Sequence, residues 1–132
     1  MDIATWSPRM LSVLRIMTGL LFLEHGTQKL FAFPGPGPAL TTLVVVQAML
    51  ELVGGILILI GLFTRPVAFI LAGDMAVAYF MAHAPRGFFP TLNGGQLAIL
   101  FCFVFLYLFV AGGGVWSVDE QRSSRRTLAP AT

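Results

Sequence analysis

Charged residues make up only 11% of this 132-residue chain, and cysteine occurs once, as Cys102. A single cysteine excludes an intramolecular disulfide and a Cys-x-x-Cys redox motif. The chain also lacks the glycine-rich dinucleotide fingerprint, the phosphate loop, the His-Glu-x-x-His zinc motif and any pair of cysteines at metal-ligand spacing. It therefore carries no signature of a soluble nucleotide-binding or zinc-dependent enzyme, and we expect no metal site.

Hydrophobic residues fill 57% of the chain and gather in four long apolar stretches. The stretches are residues 10–33, 43–63, 67–83 and 96–112. About 20 apolar residues in a helix cross the hydrocarbon core of a bilayer, and somewhat shorter spans are tolerated. The sequence therefore predicts an all-α integral membrane protein. We expect a four-helix bundle with antiparallel neighbouring helices, in which residues 1–132 form a single membrane domain in a lipid bilayer.

Proline, glycine and aromatic residues mark two longer loops, 34–38 and 84–95, because these residues interrupt helices. Thr41 or Thr42 is suited to cap the second helix. Only residues 64–66 separate the second and third apolar stretches, and so short a link predicts a tight turn between these helices. The tail, 117–132, is polar and basic and is expected to be partly disordered. Its Ser-Val-Asp-Glu start has the spacing of a capping box and favours a short interfacial helix.

The arginines are unevenly placed with respect to these four predicted spans. One side of the membrane would carry Arg9, Arg65, Arg122, Arg125 and Arg126. The other side would carry Arg86 and the end of the first helix, with Lys29. The positive-inside rule therefore predicts a multi-pass topology with both termini in the cytoplasm and the two loops outside. The basic excess follows this topology and does not indicate a nucleic-acid partner.

Five charged side chains lie within the apolar stretches: Arg15, Glu24, Lys29, Glu51 and Asp74. Such groups are costly in hydrocarbon, so by default they pair inside a bundle and mark a functional site. At about 1.5 Å of rise per residue, Glu51 and Asp74 lie near the middle of their spans. We predict that Arg15 pairs with Asp74 or Glu51. Lys29 is expected to point toward Glu51 or to extend to the outer surface.

These charges and two polar neighbours form a candidate ligand-binding pocket, while no catalytic residue is assigned. The candidates are Arg15, Glu24, His25, Lys29, Glu51, Asp74 and Gln96. Lys29 and His25 would donate hydrogen bonds to a quinone-like head group, and the carboxylates would orient these donors or relay protons. Two alternatives stay open. The ion pairs could serve only to hold the helices together, or His25 and His83 could ligate a haem.

Four motifs, in order along residues 15–119, resemble the DoxX family of four-helix bacterial membrane proteins. They are Arg15…Gly19…His25-Gly26…Lys29-Leu30, Glu51…Gly54-Gly55…Gly61-Leu62-Phe63-Thr64-Arg65, Asn93-Gly94-Gly95 and Gly112…Gly114…Ser117-Val118-Asp119. One position departs from the family's pattern. Many members have glutamate after Asn-Gly-Gly, whereas this chain has Gln96.

The resemblance implies a protein of the bacterial inner (plasma) membrane. Members include the small subunits of thiosulfate:quinone oxidoreductase, so the first interpretation is a quinone-linked subunit or partner of a membrane oxidoreductase. This interpretation implies a bound quinone, no intrinsic cofactor and a redox partner protein. The second interpretation is a non-catalytic anchor, assembly factor or small-solute carrier whose buried charges are structural. A homo-oligomer that carries only structural lipid would favour the second interpretation.

Overall fold

The computed structural model describes residues 1–130, so the last two residues of the predicted tail lie outside the described part. The helices are α1 (Ser7–Phe31), α2 (Thr42–Ile60), α3 (Thr64–Ala78), α4 (Pro90–Asn93), α5 (Gln96–Ala111) and α6 (Val118–Leu128). A 3-10 turn, Ile3–Trp6, precedes α1, while a π turn and a 3-10 turn extend α3 to Arg86. The all-α prediction is confirmed, since residues 1–130 contain no strand.

Local backbone geometry explains where α1 and α2 begin and end. The Thr41 side chain accepts a hydrogen bond from the Val44 N–H at 3.3 Å, which confirms the predicted cap of α2. Ala32 adopts the left-handed conformation, with a φ of +52°, and ends α1 two residues before the predicted boundary. Gly61, with a φ of +70°, ends α2 in the same way, and glycine adopts this conformation without steric cost.

One expectation about the connections is wrong. Residues 64–66 do not form the turn between α2 and α3 but the first turn of α3, where proline is tolerated because its missing N–H needs no helical partner. The turn is the preceding segment, 61–63. The tail contains the short helix that its capping spacing favours, α6, and the Ser117 side chain accepts a hydrogen bond from the Glu120 N–H at 3.2 Å. The predicted cap is confirmed, and the basic residues Arg122, Arg125 and Arg126 belong to the helix.

Helices α1 and α2 pack with their backbones in very close contact. A Cβ atom built on Gly19 would lie 2.6 Å from the Leu59 nitrogen, and one on Gly26 would lie 2.8 Å from the Leu52 nitrogen. Gly55 of α2 meets the backbone of Leu23 in the same way. As residue numbers rise along α1, the facing numbers fall along α2. These glycines permit an approach that any side chain would prevent.

The second extensive helix pairing is between α3 and α5. Ala68 and Ala72, on the face of α3 that carries alanine every four residues, are buried. The aromatic centre of the core is Phe22 of α1, whose ring meets the edges of Phe101 and Phe105 of α5 at centroid distances of 5.4 and 4.9 Å. The core therefore joins α1 to the α3–α5 pair through aromatic contacts.

Within residues 1–130, two helical stretches are long and apolar enough to cross a membrane, Thr42–Ile60 and Thr64–Arg86. Helix α5 is apolar but shorter, and α1 is longer but carries several charges. Large apolar side chains such as Val53 and Ile70 are exposed on these helices. A continuous apolar exterior of this kind requires an apolar environment.

Replacing Gly26 with alanine is expected to destabilise the protein by about 1–3 kcal/mol, because the new methyl group overpacks the α1–α2 contact. Gly73→Ala is the matched control, since a Cβ there meets nothing within 4 Å. Alanine should instead stabilise α3 at that position by roughly 0.5–1 kcal/mol. Thermal unfolding in mild detergent, followed by circular dichroism, measures both. Equal melting temperatures for the two variants would contradict the close contact.

Candidate functional site

The buried polar groups form two clusters at opposite ends of the α1–α2 pair. Arg15 belongs to the first cluster, and Lys29 belongs to the second. These residues are separated by roughly 21 Å along the axis of α1, at about 1.5 Å per residue. The two clusters differ in chemistry, because the charged group of the first has hydrogen-bond partners for all three of its nitrogens, whereas the Glu51 carboxylate of the second has one oxygen without a partner among the described residues.

Arg15 is fully buried and donates hydrogen bonds to backbone carbonyls only. Its Nε donates to the Gly113 oxygen at 2.7 Å, and its terminal nitrogens donate to the oxygens of Ile58 (2.8 Å), Leu59 (2.6 Å) and Trp116 (2.5 Å). We call this group the arginine node. Carbonyls in the last turn of a helix lack helical partners, so a cation beside them is favourable. The planar fork of donors suits such a site.

Carboxylate and hydroxyl groups complete the helix ends around the arginine node. The two Asp119 oxygens accept hydrogen bonds from the backbone N–H groups of Phe63 and Thr64, both at 2.8 Å, and so cap the start of α3. Ser12 accepts from the Trp116 N–H at 3.0 Å. Arg65 donates to the Phe109 oxygen at 3.1 Å and also to the Val110 oxygen, at the end of α5. At this end of the molecule, side chains from one helix or loop therefore partner the backbone groups at the end of another.

The second cluster borders a cavity of about 300 Å³, which we call the polar cavity. Its polar lining residues are His25, Lys29, Gln47, Glu51 and His83. Its remaining walls are apolar and aromatic, and include Phe22, Met75 and Phe101. A concave apolar site with a few convergent polar groups is the usual form of a small-molecule site.

An ion pair forms one wall of the polar cavity. Lys29 Nζ lies 2.6 Å from Glu51 Oε1 and donates a second hydrogen bond to Gln47 Oε1 at 3.0 Å. The Glu51 side chain is only 3% exposed, and its other oxygen, Oε2, has no hydrogen-bond partner among the described residues. Asp74 lies next to Gln47 and close to Lys29, and its buried Oδ2 has no partner among residues 1–130 either.

The two histidines of the polar cavity have different neighbours. His25 meets the Phe101 ring edge-on, with centroids 5.9 Å apart. His83 Nδ1 lies 3.2 Å from the Asn93 carbonyl oxygen, so this histidine satisfies a loop carbonyl. The Asn93 side chain also fixes the loop, because its amide donates to the Gly87 oxygen at 3.0 Å and its oxygen accepts from the Gly95 N–H at 2.8 Å.

The structure brings together some of the predicted site residues and separates others. His25, Lys29 and Glu51 line the polar cavity, and Asp74 lies beside them. Arg15, Glu24 and Gln96 do not line it: Arg15 is at the other end of α1, Glu24 borders a separate hollow of about 190 Å³, and Gln96 is exposed at the start of α5.

The predicted pairing of Arg15 with Asp74 or Glu51 is wrong, because backbone carbonyls take all its hydrogen bonds. Lys29 does pair with Glu51, the first of the two expected positions. Gln47 and His83 also line the polar cavity, although the predicted pocket does not include them. Gln47 lies one helical turn before Glu51 on the same face of α2, which is the signal that identifies it.

Among residues 1–130, no group of three or more His, Cys, Asp or Glu side chains is placed to hold a metal ion. The polar groups of the cavity include both donors and acceptors of hydrogen bonds. The ammonium of Lys29 can donate, and the free carboxylate oxygens can accept.

Apolar helices of membrane-spanning length, an apolar exterior and a polar cavity among the helices together define a helical membrane protein. The chain belongs to the DoxX family, whose family model matches residues 10–84. An uncharacterized protein of Haemophilus influenzae is 41% identical over 91% of this chain and 96% of its own length. An uncharacterized membrane protein of Mycobacterium tuberculosis is 30% identical, covering 89% of this chain and 84% of its own length. No solved structure matches.

Arg15→Lys is expected to lower stability by at least about 2 kcal/mol, because an ammonium cannot reach all four carbonyls and each lost charge-assisted hydrogen bond costs about 1.5–3 kcal/mol. Arg86→Lys is the control, because Arg86 is exposed at the end of the extension of α3, and this change should leave stability unaltered. Urea unfolding in detergent measures the difference. A neutral Arg15→Lys would show that the node does not hold the helix ends.

Lys29→Met is expected to cost about 3 kcal/mol or more, because it leaves the buried Glu51 carboxylate without its cation. The double variant Lys29→Met with Glu51→Leu should regain most of that loss, since neither charge remains buried. Unfolding free energies of the wild type, both single variants and the double variant form the thermodynamic cycle. Additive losses would show that the two side chains are energetically independent.

Proposed function

We propose that this protein is a quinone-linked subunit or partner of a membrane oxidoreductase, and that the polar cavity holds the quinone head group. The observation that carries the proposal is the composition of this cavity. An ion pair and two histidines, His25 and His83, face aromatic and aliphatic walls in about 300 Å³ among apolar helices. A quinone head group is a flat apolar ring with polar atoms at two edges, so it needs both kinds of wall.

The chemistry of the lining residues supports this assignment. Lys29 uses two of its three N–H groups within the protein and has a third for a ligand oxygen. The ring of Phe101 offers an aromatic surface beside His25. A carboxylate next to the ligand can take up or release protons, as redox reactions of quinones require.

A partner protein is part of the proposal. The lining side chains bind and orient a quinone, but they include no thiol pair and no set of metal ligands among the described residues. The electrons exchanged with the bound quinone would therefore come from, or pass to, a redox centre in another subunit. The apolar exterior leaves such a partner free to dock within the bilayer or at its surface.

We further propose that α1, α2, α3 and α5 form a four-helix bundle that crosses the bacterial inner membrane, with antiparallel neighbours. The falling register between α1 and α2 supports this arrangement. The basic groups that support cytoplasmic termini are Arg9, Arg65, Arg122, Arg125 and Arg126. The polar cavity would then open toward the outer half of the bilayer.

The second candidate function is a non-catalytic anchor, assembly factor or small-solute carrier. The arginine node favours it, because the motif residues Gly61, Ser117 and Asp119 all serve helix ends there and none of them borders the polar cavity. If the ion pair of Lys29 and Glu51 has a similar structural role, the chain needs no quinone. Ligand analysis separates the two candidates.

Organic extracts of protein purified in mild detergent are expected to contain about one quinone per chain, above the membrane background, as measured by mass spectrometry. Ala78→Phe should abolish this binding, because the new ring fills the polar cavity without changing any charge. Val77→Phe is the matched control: the neighbouring side chain is 55% exposed and faces away from the core, so quinone should remain.

Circular dichroism and size-exclusion chromatography show whether both variants are folded. Quinone lost from Ala78→Phe and retained in Val77→Phe would support the cavity as the binding site. Recovery of phospholipid alone from the wild type would contradict the quinone proposal and favour the anchor or carrier.

A further inference from the structure

We infer that the polar cavity binds the reduced, hydroxyl-bearing form of the quinone, the quinol, in preference to the oxidised form. The inference rests on the proposed function, because it concerns the ligand of the same cavity. Glu51 is almost completely buried, lines the cavity, and has one carboxylate oxygen, Oε2, without a partner among the described residues.

The unpartnered groups at this site are predominantly acceptors. Glu51 Oε2 and Asp74 Oδ2 are buried carboxylate oxygens, and neither accepts a hydrogen bond from residues 1–130. The nearby ammonium, Lys29, already donates to Gln47 and to the other Glu51 oxygen. A buried polar atom without a partner is unfavourable, so a ligand that supplies donors relieves this cost.

His83 adds a further acceptor. Its Nδ1 lies 3.2 Å from the Asn93 carbonyl, and a carbonyl oxygen can only accept, so Nδ1 carries the proton of this hydrogen bond. In the neutral imidazole the other nitrogen, Nε2, is then an acceptor. His83 lines the polar cavity. Glu51 and His83 thus both offer acceptor atoms to a ligand there.

The two redox forms of a quinone differ in their hydrogen bonding. The two carbonyl oxygens of the oxidised form only accept hydrogen bonds, so they cannot partner a carboxylate oxygen and repel it at close range. In the reduced form both oxygens are hydroxyl groups, which donate hydrogen bonds. A site of buried acceptors therefore discriminates between the two forms, because only the quinol gives these acceptors a hydrogen-bond donor.

The test is the ratio of the dissociation constants of a short-chain quinone and its quinol, measured anaerobically on the full chain in detergent. Equilibrium ultrafiltration with mass spectrometry quantifies each form. The quinol is expected to bind at least about tenfold more tightly. For this two-electron couple, a tenfold preference raises the midpoint potential of the bound quinone by about 30 mV.

Glu51→Gln is expected to remove or reverse the preference, because the amide keeps the size of the side chain but places an N–H₂ donor in the cavity. Glu24→Gln is the matched control, since it makes the same change at an exposed position that does not line the polar cavity. Its ratio should equal that of the wild type. The wild-type ratio is decisive by itself if Glu51→Gln does not fold.

The outcomes separate the inference from the proposed function. Equal or tighter binding of the oxidised form by the wild type would overturn the inference while leaving the cavity a quinone site. An unchanged quinol preference in folded Glu51→Gln would also overturn it. If neither form binds, or if Ala78→Phe leaves binding intact, the proposed function itself is wrong.

Discussion

The buried guanidinium of Arg15 determines how one end of this protein is assembled. Its donors reach the last-turn carbonyls of α2 and the carbonyls of Gly113 and Trp116, which lie between α5 and α6. Holding that segment in place positions Asp119, whose two oxygens cap the start of α3. Where water is excluded, backbone groups at helix ends need partners from the protein itself, and one fully charged side chain supplies several.

The close glycine contacts between α1 and α2 also determine the geometry at the other end of the helix pair. Because Gly19 and Gly26 allow α1 to lie directly on the backbone of α2, the Lys29 ammonium reaches Glu51 at 2.6 Å. The arginine node holds the two helices at one end, and the ion pair meets at the other. The structural role of Arg15 and the proposed ligand-binding role of the polar cavity thus belong to different parts of one helix pair.

The residues of the family motifs divide between the two ends of the helix pair. The segments around Gly61 and from Gly112 to Asp119 form helix ends, where Ser117 and Asp119 accept hydrogen bonds from backbone N–H groups. The segments around Lys29 and Glu51 border the polar cavity, where carboxylate oxygens remain without partners among the described residues. A buried acceptor without a partner costs a membrane protein stability, and this cost is the physical basis of the proposed ligand site.

Composition alone determined the helices, since long apolar stretches interrupted by proline and glycine permit few other structures in lipid. The sequence left two positions open for Lys29, toward Glu51 or at the outer surface, and the structure has the first. The sequence could not reveal the partners of Arg15, because backbone carbonyls are present at every residue and only the chain path decides which ones are free. The same holds for His83 and Gln47, which reach the cavity through the extension of α3 and the register of α2. Residue types determined which groups are costly in hydrocarbon, and the tertiary structure decided which of them the backbone partners and which keep an oxygen without a partner among the described residues, because only the path of the chain brings donors and acceptors together.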